Sequence, residues 1–169
     1  AGTLGDASLT ATTGSITDGT VGGEAANITA GTAILEAATG IGTIAADEDL
    51  DTAVTTTLQL TNNTSGDIVV SDSGSGTTDL TASNKSSIAG DDIVINDSGA
   101  IVLSDVDTQN GSITVIAGGA MTATDVETLT DAATNDITLE GTSIAVGTIS
   151  ADTLGDASLT ATTGSITDG

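Results

Sequence analysis

The sequence lacks the residue types on which most enzyme and binding sites depend. It contains no cysteine, proline, histidine, tryptophan, tyrosine or phenylalanine, and Lys85 is its single positively charged side chain. Without cysteine there is no disulfide, no thiol chemistry and no cysteine-ligated metal site. Without aromatic side chains, which bury the largest area per residue, a core must be assembled from Ile, Val, Leu and Ala in many small contacts.

Positive charge is almost absent, whereas negative charge is abundant. The 24 acidic side chains give a formal net charge of −23. Nucleic acids and anionic membrane surfaces attract clusters of Lys and Arg, so we predict no nucleic-acid partner and no membrane insertion of this segment. The hydrophobic fraction of 37% and the mean hydropathy of +0.24 favour a folded chain over a disordered one.

The chain ends on a near-copy of its own beginning. The stretch TLGDASLTATTGSITDG occupies residues 3–19 and returns at 153–169, so the two copies are offset by 150 residues. We therefore predict that residues 1–150 form one long repeat, that residues 151–169 begin the next, and that there is no separate globular domain. We also expect the chain to be an internal piece of a longer array.

A shorter, degenerate period lies inside the long one. Strands with alternating apolar residues are separated by Gly, Asn, Asp and Ser, which favour turns, and they recur every 20–25 residues. This pattern predicts an all-β fold, a parallel β-helix (β-solenoid) with about seven coils per long repeat, rising roughly 34 Å. The predicted inward positions of two consecutive coils are Ile93, Ile95, Ile101, Leu103 and Val106, then Ile113, Val115, Met121, Ala123 and Val126.

The coil alignment fixes which residues should lie above one another. It is anchored on Leu9, Ala30, Leu50, Val70, Ile95, Val115, Leu139 and Leu159. In the third coil it turns Glu48 inward, where an unpaired carboxylate is costly, so either a bulge or a different register is expected there.

Short polar residues stand three positions before each anchor, where they can bond to their own backbone and form turns. They are Asp6, Asn27, Asp47, Asp67, Asp92, Ser112, Asp136 and Asp156. The stacked pairs Asp47–Asp67 and Asp136–Asp156 have two interpretations, turn-forming carboxylates facing water or carboxylates bridged by Ca²⁺. If the chain is glycosylated, the sequons at Asn62 and Asn84 are the favoured turn positions.

One acidic cluster is the candidate cation site. It consists of Asp47, Glu48, Asp49 and Asp51, and Ca²⁺ is the ion that such hard oxygen ligands would take. The calcium-binding nonapeptide and the EF-hand loop are both absent from the sequence. Apart from this possible Ca²⁺ we predict no cofactor.

Three stretches carry a resemblance to a known family. GDASLTATTGSIT, GSITVIAGGAMTATDV and NDITLEGTSIAVGTISAD resemble the repeats of filamentous-haemagglutinin-like adhesins and giant bacterial surface proteins. The resemblance implies a right-handed parallel β-helix that is exported and extends from the cell surface. It also implies a role in adhesion or cell–cell contact, and an extracellular or cell-surface location.

The composition favours a structural role over catalysis. Carboxylate pairs suited to glycoside hydrolysis are plentiful, but Lys85 is the only basic side chain and no aromatic ring is available to stack on a sugar. We therefore predict no catalytic residues and a rigid structural segment of an extracellular fibre or stalk, whose partners are further copies of itself along the fibre axis. The alternative is an adhesin module that binds a host, cell or polysaccharide partner through turns, with residues 71–91 as the candidate insertion.

Overall fold

The computed structural model describes residues 4–19, 25–45 and 48–169. Within these ranges every regular element is a β-strand, and all paired strands run parallel. The strands are β1 (Ala7–Ala11), β2 (Ile28–Ala37), β3 (Leu50–Asn62), β4 (Ile68–Asp72), β5 (Thr77–Asn84), β6 (Ile93–Asp97), β7 (Ala100–Thr108), β8 (Ile113–Ala117), β9 (Met121–Thr128), β10 (Ile137–Gly141), β11 (Ile144–Ser150), β12 (Ala157–Ala161) and β13 (Ile166–Asp168).

The strands stack into two columns, each a continuous parallel ladder. The first column contains residues 50–52 of β3 and then β4, β6, β8, β10 and β12. The second column contains β1, residues 32–37 of β2, residues 57–62 of β3, and then β5, β7, β9, β11 and β13. Because consecutive coils add one strand to each column, the chain is a β-solenoid of about seven turns, which confirms the predicted fold class.

An aliphatic spine fills the interior between the columns. All ten inward positions predicted for the two consecutive coils are at most 1% exposed. Val106 is the inward residue of the Asp105–Asp107 triplet, which lies inside β7 rather than in a separate strand. Stacked coils thereby bury Ile, Leu and Val layers that no single coil could cover.

The predicted register is confirmed from the third coil onward and is wrong before it. Leu50, Val70, Ile95, Val115, Leu139 and Leu159 lie beside one another in that order. Leu9, however, pairs with Leu35, and Ala30 pairs with Val54. The physical reason is that β1 lies in the second column, beside Ala33–Ala37, whereas Ala30 pairs with Val54 before the register shift that separates Ala30 from Thr32.

The third coil is bulged, as the awkward position of Glu48 indicated. Ile41 bridges to Ile68 and Leu50 pairs with Val70, so residues 42–45 and 48–49 lie outside the ladder of the first column. Glu48 is consequently exposed. Gly42 begins the loop at a φ of +66°, and a Cβ there would lie 2.0 Å from the Val69 carbonyl oxygen, so only glycine fits.

The candidate insertion at residues 71–91 is mostly an ordinary coil. It contains β5, whose Leu80 and Ala82 are buried in the spine. The turn after β5 is the exposed part, with residues 87–90 all exposed, among them Ile88. In the described ranges no helix is long and apolar enough to cross a membrane.

Candidate functional site

The residues that precede the strands of the first column form a ladder of side-chain-to-backbone hydrogen bonds between coils. Asp92 N–H donates to Asp67 Oδ1 at 2.9 Å, and Ser112 N–H donates to Asp92 Oδ1 at 2.7 Å. Asp136 N–H donates to Ser112 Oγ at 3.3 Å, and Asp156 N–H donates to Asp136 Oδ1 at 2.9 Å. The expected class of residue is confirmed, but each side chain bonds to the next coil rather than to its own backbone.

This ladder gives the stacked carboxylates a structural task. Each ladder oxygen accepts a backbone N–H, which offsets part of the repulsion between like charges. Burial nevertheless raises the pKa of Asp92, and the neighbouring Asp67 and Asp91 carboxylates raise it further against the Ser112 N–H bond. Asp136 lies directly below Asp156 as predicted, whereas Asp47 of the other predicted pair lies outside the described residues.

Two carboxylates at the carboxyl-terminal ends of β4 and β6, in the first column, are buried one above the other. Asp72 and Asp97 are paired in the β4–β6 ladder and are 2% and 4% exposed. Asp72 Oδ1 accepts from Thr52 Oγ1 and from the Val54 N–H, both at 2.8 Å, and its Oδ2 accepts from Thr78 Oγ1 at 3.2 Å. The Asp72 carboxylate therefore ties together the corner between the columns.

Asp97 is less well satisfied than Asp72. Its Oδ1 accepts from the Gly99 N–H at 2.6 Å, but its Oδ2 is buried without a hydrogen-bond partner among the described residues. The next coil presents Ala117 at this position, which offers no side-chain donor. Burial raises the pKa of Asp97 to about 6, and the Asp72 carboxylate raises it too, while the Gly99 N–H bond and the nearby Thr78 hydroxyl lower it.

A pair of asparagines at the carboxyl-terminal ends of β3 and β5, in the second column, forms the other buried polar corner. Asn62 Nδ2 donates to Asn84 Oδ1 at 3.0 Å and to the Gly66 carbonyl at 2.6 Å, and Asn62 Oδ1 accepts from the Gly40 N–H at 3.0 Å. Asn84 Nδ2 in turn donates to the carbonyls of Gly66 and Asp91 at 3.1 and 3.2 Å. Both amides are buried completely, and the two residues end β3 and β5, so the prediction that Asn62 and Asn84 are the turn positions favoured for glycosylation is wrong.

Sequence reasoning missed both corners, although it contained a signal for each. The tripeptide Asp-Ser-Gly occurs at 72–74 and again at 97–99, with a spacing of one coil. Asn62 and Asn84 are likewise one coil apart. Polar residues that recur at the coil spacing immediately after an apolar strand indicate a buried polar stack at a corner.

The structure describes three of the four residues of the candidate cation site, and each of the three makes a different contact. Asp47 lies outside the described residues. Glu48 Oε2 accepts from Thr43 Oγ1 at 3.1 Å, and Asp49 accepts a short hydrogen bond from Ser71. Asp51 lies in β3, where its N–H donates to Asn27 Oδ1 at 2.9 Å. In the ranges 4–19, 25–45 and 48–169 no three acidic residues come together as a metal-binding group.

A depression of about 390 Å³ lies beside Asp72 and Asp97 and is bordered by the exposed Ile116. Of the carboxylates that line it, Asp72 accepts from the Val54 N–H and Asp97 accepts from the Gly99 N–H. Lys85, the single cationic side chain, directly follows β5, and its Nζ donates to Asn63 Oδ1 at 3.4 Å.

The two end coils are the least covered parts of the spine. Leu4, Leu9, Leu154 and Ile166 are 45%, 38%, 58% and 48% exposed, although Leu9 is an anchor of the predicted coil alignment. All four belong to the segment that the two ends share.

Comparisons of the chain with protein-family models, with curated proteins and with solved structures find no match.

Proposed function

We propose that this chain is a structural segment of an extracellular fibre or cell-surface stalk, a rigid β-solenoid rod built from tandem long repeats. The observation that carries the proposal lies at the ends. β1 and β12 have the same five residues, ASLTA, and within the described part of the chain each pairs along one edge only. A strand edge of this kind is a template for another strand, and here the chain already supplies the residues that fit it.

Rigidity follows from the way the coils are connected. Backbone ladders in both columns tie neighbouring coils together. The Asp–Ser ladder adds bonds between the coils from Asp67 to Asp156, and the polar corners add bonds at Asp72 and Asn62. The aliphatic spine runs through all of them. Side by side, rods with a net charge of −23 per chain repel one another, which keeps them soluble and separate.

The same proposal assigns no catalytic residue, no resident cofactor and no nucleic-acid or membrane partner. Its support is the use of the buried carboxylates: Asp72 and Asp97 accept hydrogen bonds from their own corner. The extracellular location rests on the resemblance to bacterial surface repeats.

Arrays of one, two and three long repeats test the proposal. Small-angle scattering should show a rod whose length increases linearly, by roughly 30 Å for each added repeat at a coil spacing of 4.8 Å. Thermal stability should also rise with repeat number, because each added interface contributes to a nearest-neighbour sum. Separate compact bodies, or a length that does not increase with repeat number, would contradict a continuous rod.

The turn after β5 favours the adhesin as a second candidate. It contains Ile88, which is 53% exposed and follows Lys85, the single cation of an acidic chain, by three residues. Binding of the chain to cells and to a polysaccharide array, compared with an Ile88→Ser, Lys85→Ala double variant, tests this alternative. Equal binding by both proteins, or none by either, would leave the structural role as the sole proposal.

A further inference from the structure

The 17-residue segment shared by the two ends, which we call the joint segment (3–19 and 153–169), stands in two different columns. In the first copy, β1 lies in the second column and pairs with Ala33–Ala37 of β2. In the second copy, the identical β12 lies in the first column and pairs with β10. One sequence therefore fits two different neighbours, each in parallel and without a register shift.

The first copy bonds to its neighbour through odd-numbered positions. The Gly5 carbonyl accepts from the Gly31 N–H at 2.8 Å, and the Ala11 carbonyl accepts from the Ala38 N–H at 3.0 Å. Both donors lie in the coil that follows. In a parallel ladder alternate residues bond to opposite sides, so the even positions of this strand remain for a coil on the other side.

The second copy uses that other set. The Asp156 carbonyl accepts from the Ile137 N–H at 2.8 Å, and the Thr162 N–H donates to the Gly141 carbonyl at 2.8 Å. These residues correspond to positions 6 and 12 of the first copy. The two copies therefore use complementary backbone groups, and one strand could make both sets of bonds at once.

The second half of the joint segment shows the same complementarity. Ile16 donates its N–H to the Gly40 carbonyl at 3.1 Å and accepts from the Gly42 N–H at 2.8 Å. In the other copy the Ser165 carbonyl, equivalent to position 15, accepts from the Ile144 N–H at 3.0 Å. Ile16 is bridged to Ile41 at the start of the first column, whereas Ile166 pairs in the second column.

We propose that the joint segment connects consecutive long repeats and exchanges the two columns as it does so. Its ASLTA strand pairs along one edge with β10 and along the other with residues 33–37 of the next repeat. The first column of one repeat then continues as the second column of the next, and the second continues as the first. This inference rests on the proposed tandem rod and specifies its interface, whose partner is a second copy of this same sequence.

The exchange changes the symmetry of the rod. Following the second column from Ala7 through Ala33, Leu58, Leu80, Leu103, Ala123 and Val146 gives six complete turns. Ala157 follows in the first column, after part of a further turn. Successive 150-residue units are therefore related by a rotation about the fibre axis together with a rise of roughly 30 Å. The apolar side chains left exposed on the end coils become covered at the same step.

Cysteine cross-linking in a tandem chain, with residues 20–169 repeated after Gly169, tests the joint without background because the sequence has no native cysteine. One pair joins Thr160→Cys of the first unit to Glu36→Cys of the second. These exposed positions become direct neighbours in the proposed joint, since Thr10 pairs with Glu36 in the first copy. Strand neighbours about 4.8 Å apart are within the range that a disulfide spans. We expect complete oxidation, seen as a gel shift that reductant reverses.

A second pair tests stacking without column exchange. Ser158→Cys of the first unit and Thr29→Cys of the second become neighbours if each column continues as itself, in the alignment that places Leu9 beside Ala30. We expect this pair to stay reduced, while Thr10→Cys with Glu36→Cys in the 169-residue chain serves as the positive control. Oxidation of the second pair, or of neither pair in a chain whose rod length doubles, would overturn the joint and leave the rod standing. A tandem chain that does not lengthen would overturn both.

Discussion

Asp97 should make the solenoid more stable in mild acid than at neutral pH. Its carboxyl group is buried at the end of the first column, with one oxygen unpaired and the Asp72 carboxylate in the adjacent coil. Burial raises its pKa to about 6, against an ordinary value of 3.8. Between these two values the folded chain binds a proton that the unfolded chain does not, so stability falls as the pH rises through this range. The difference of about two pKa units corresponds to about 3 kcal/mol.

Asp97→Asn removes the charge and keeps the shape of the side chain. At about pH 8 the variant should be more stable than the parent by up to about 3 kcal/mol, and the difference should shrink toward zero near pH 4. Urea unfolding followed by far-ultraviolet circular dichroism at several pH values measures the difference. Burial also raises the pKa values of Asp92 and Asp107, and these groups add the same pH trend to both proteins.

Asp6→Asn is the matched control, because it removes one negative charge from an exposed position at the first end coil. Its stability curve should run parallel to that of the parent across the whole pH range. An Asp97→Asn variant with the same pH dependence as the parent between about pH 4 and pH 7 would refute the assignment of this trend to Asp97.

Three further predictions concern the asparagine corner, a close backbone contact and the acidic cluster. Asn84→Ala should lower the free energy of unfolding by about 2 kcal/mol, because it leaves buried amide and carbonyl partners unpaired. Asn63→Ala, at an exposed position, should change this free energy little. Equal effects of the two substitutions in urea unfolding would contradict a stabilising role of the Asn62–Asn84 corner. Gly74→Ala should lower the melting temperature by several degrees, about what 1–2 kcal/mol produces, since a Cβ there would lie 1.6 Å from the Val54 carbonyl oxygen. Gly14→Ala, where nothing lies within 4 Å, should melt like the parent. For the acidic cluster at residues 47–51, we expect identical melting curves with Ca²⁺ and with chelator, and a rise in melting temperature with Ca²⁺ would instead identify a cation site.

The sequence by itself determined the solenoid, its coil length and most of its spine. Alternation defines which residues of a strand share a face, and recurrence at 20–25 residues shows that the strands stack. Ile93, Val115 and Met121 could therefore be assigned to the interior before any coordinates were known. The polar class of the residues preceding each strand was equally visible, because turns and backbone caps require short oxygen-bearing side chains.

Only the tertiary structure decided the register at the beginning of the chain. In β2 the small apolar residues before and after the bulge allow more than one alignment, and alternation alone cannot choose between them. The choice depends on which strand of the neighbouring coil offers a continuous ladder, and that is a contact across about 25 residues. For the same reason the two copies of ASLTA are evident in the sequence, but their location in different columns could not be predicted from it. That placement depends on the partners above and below each copy.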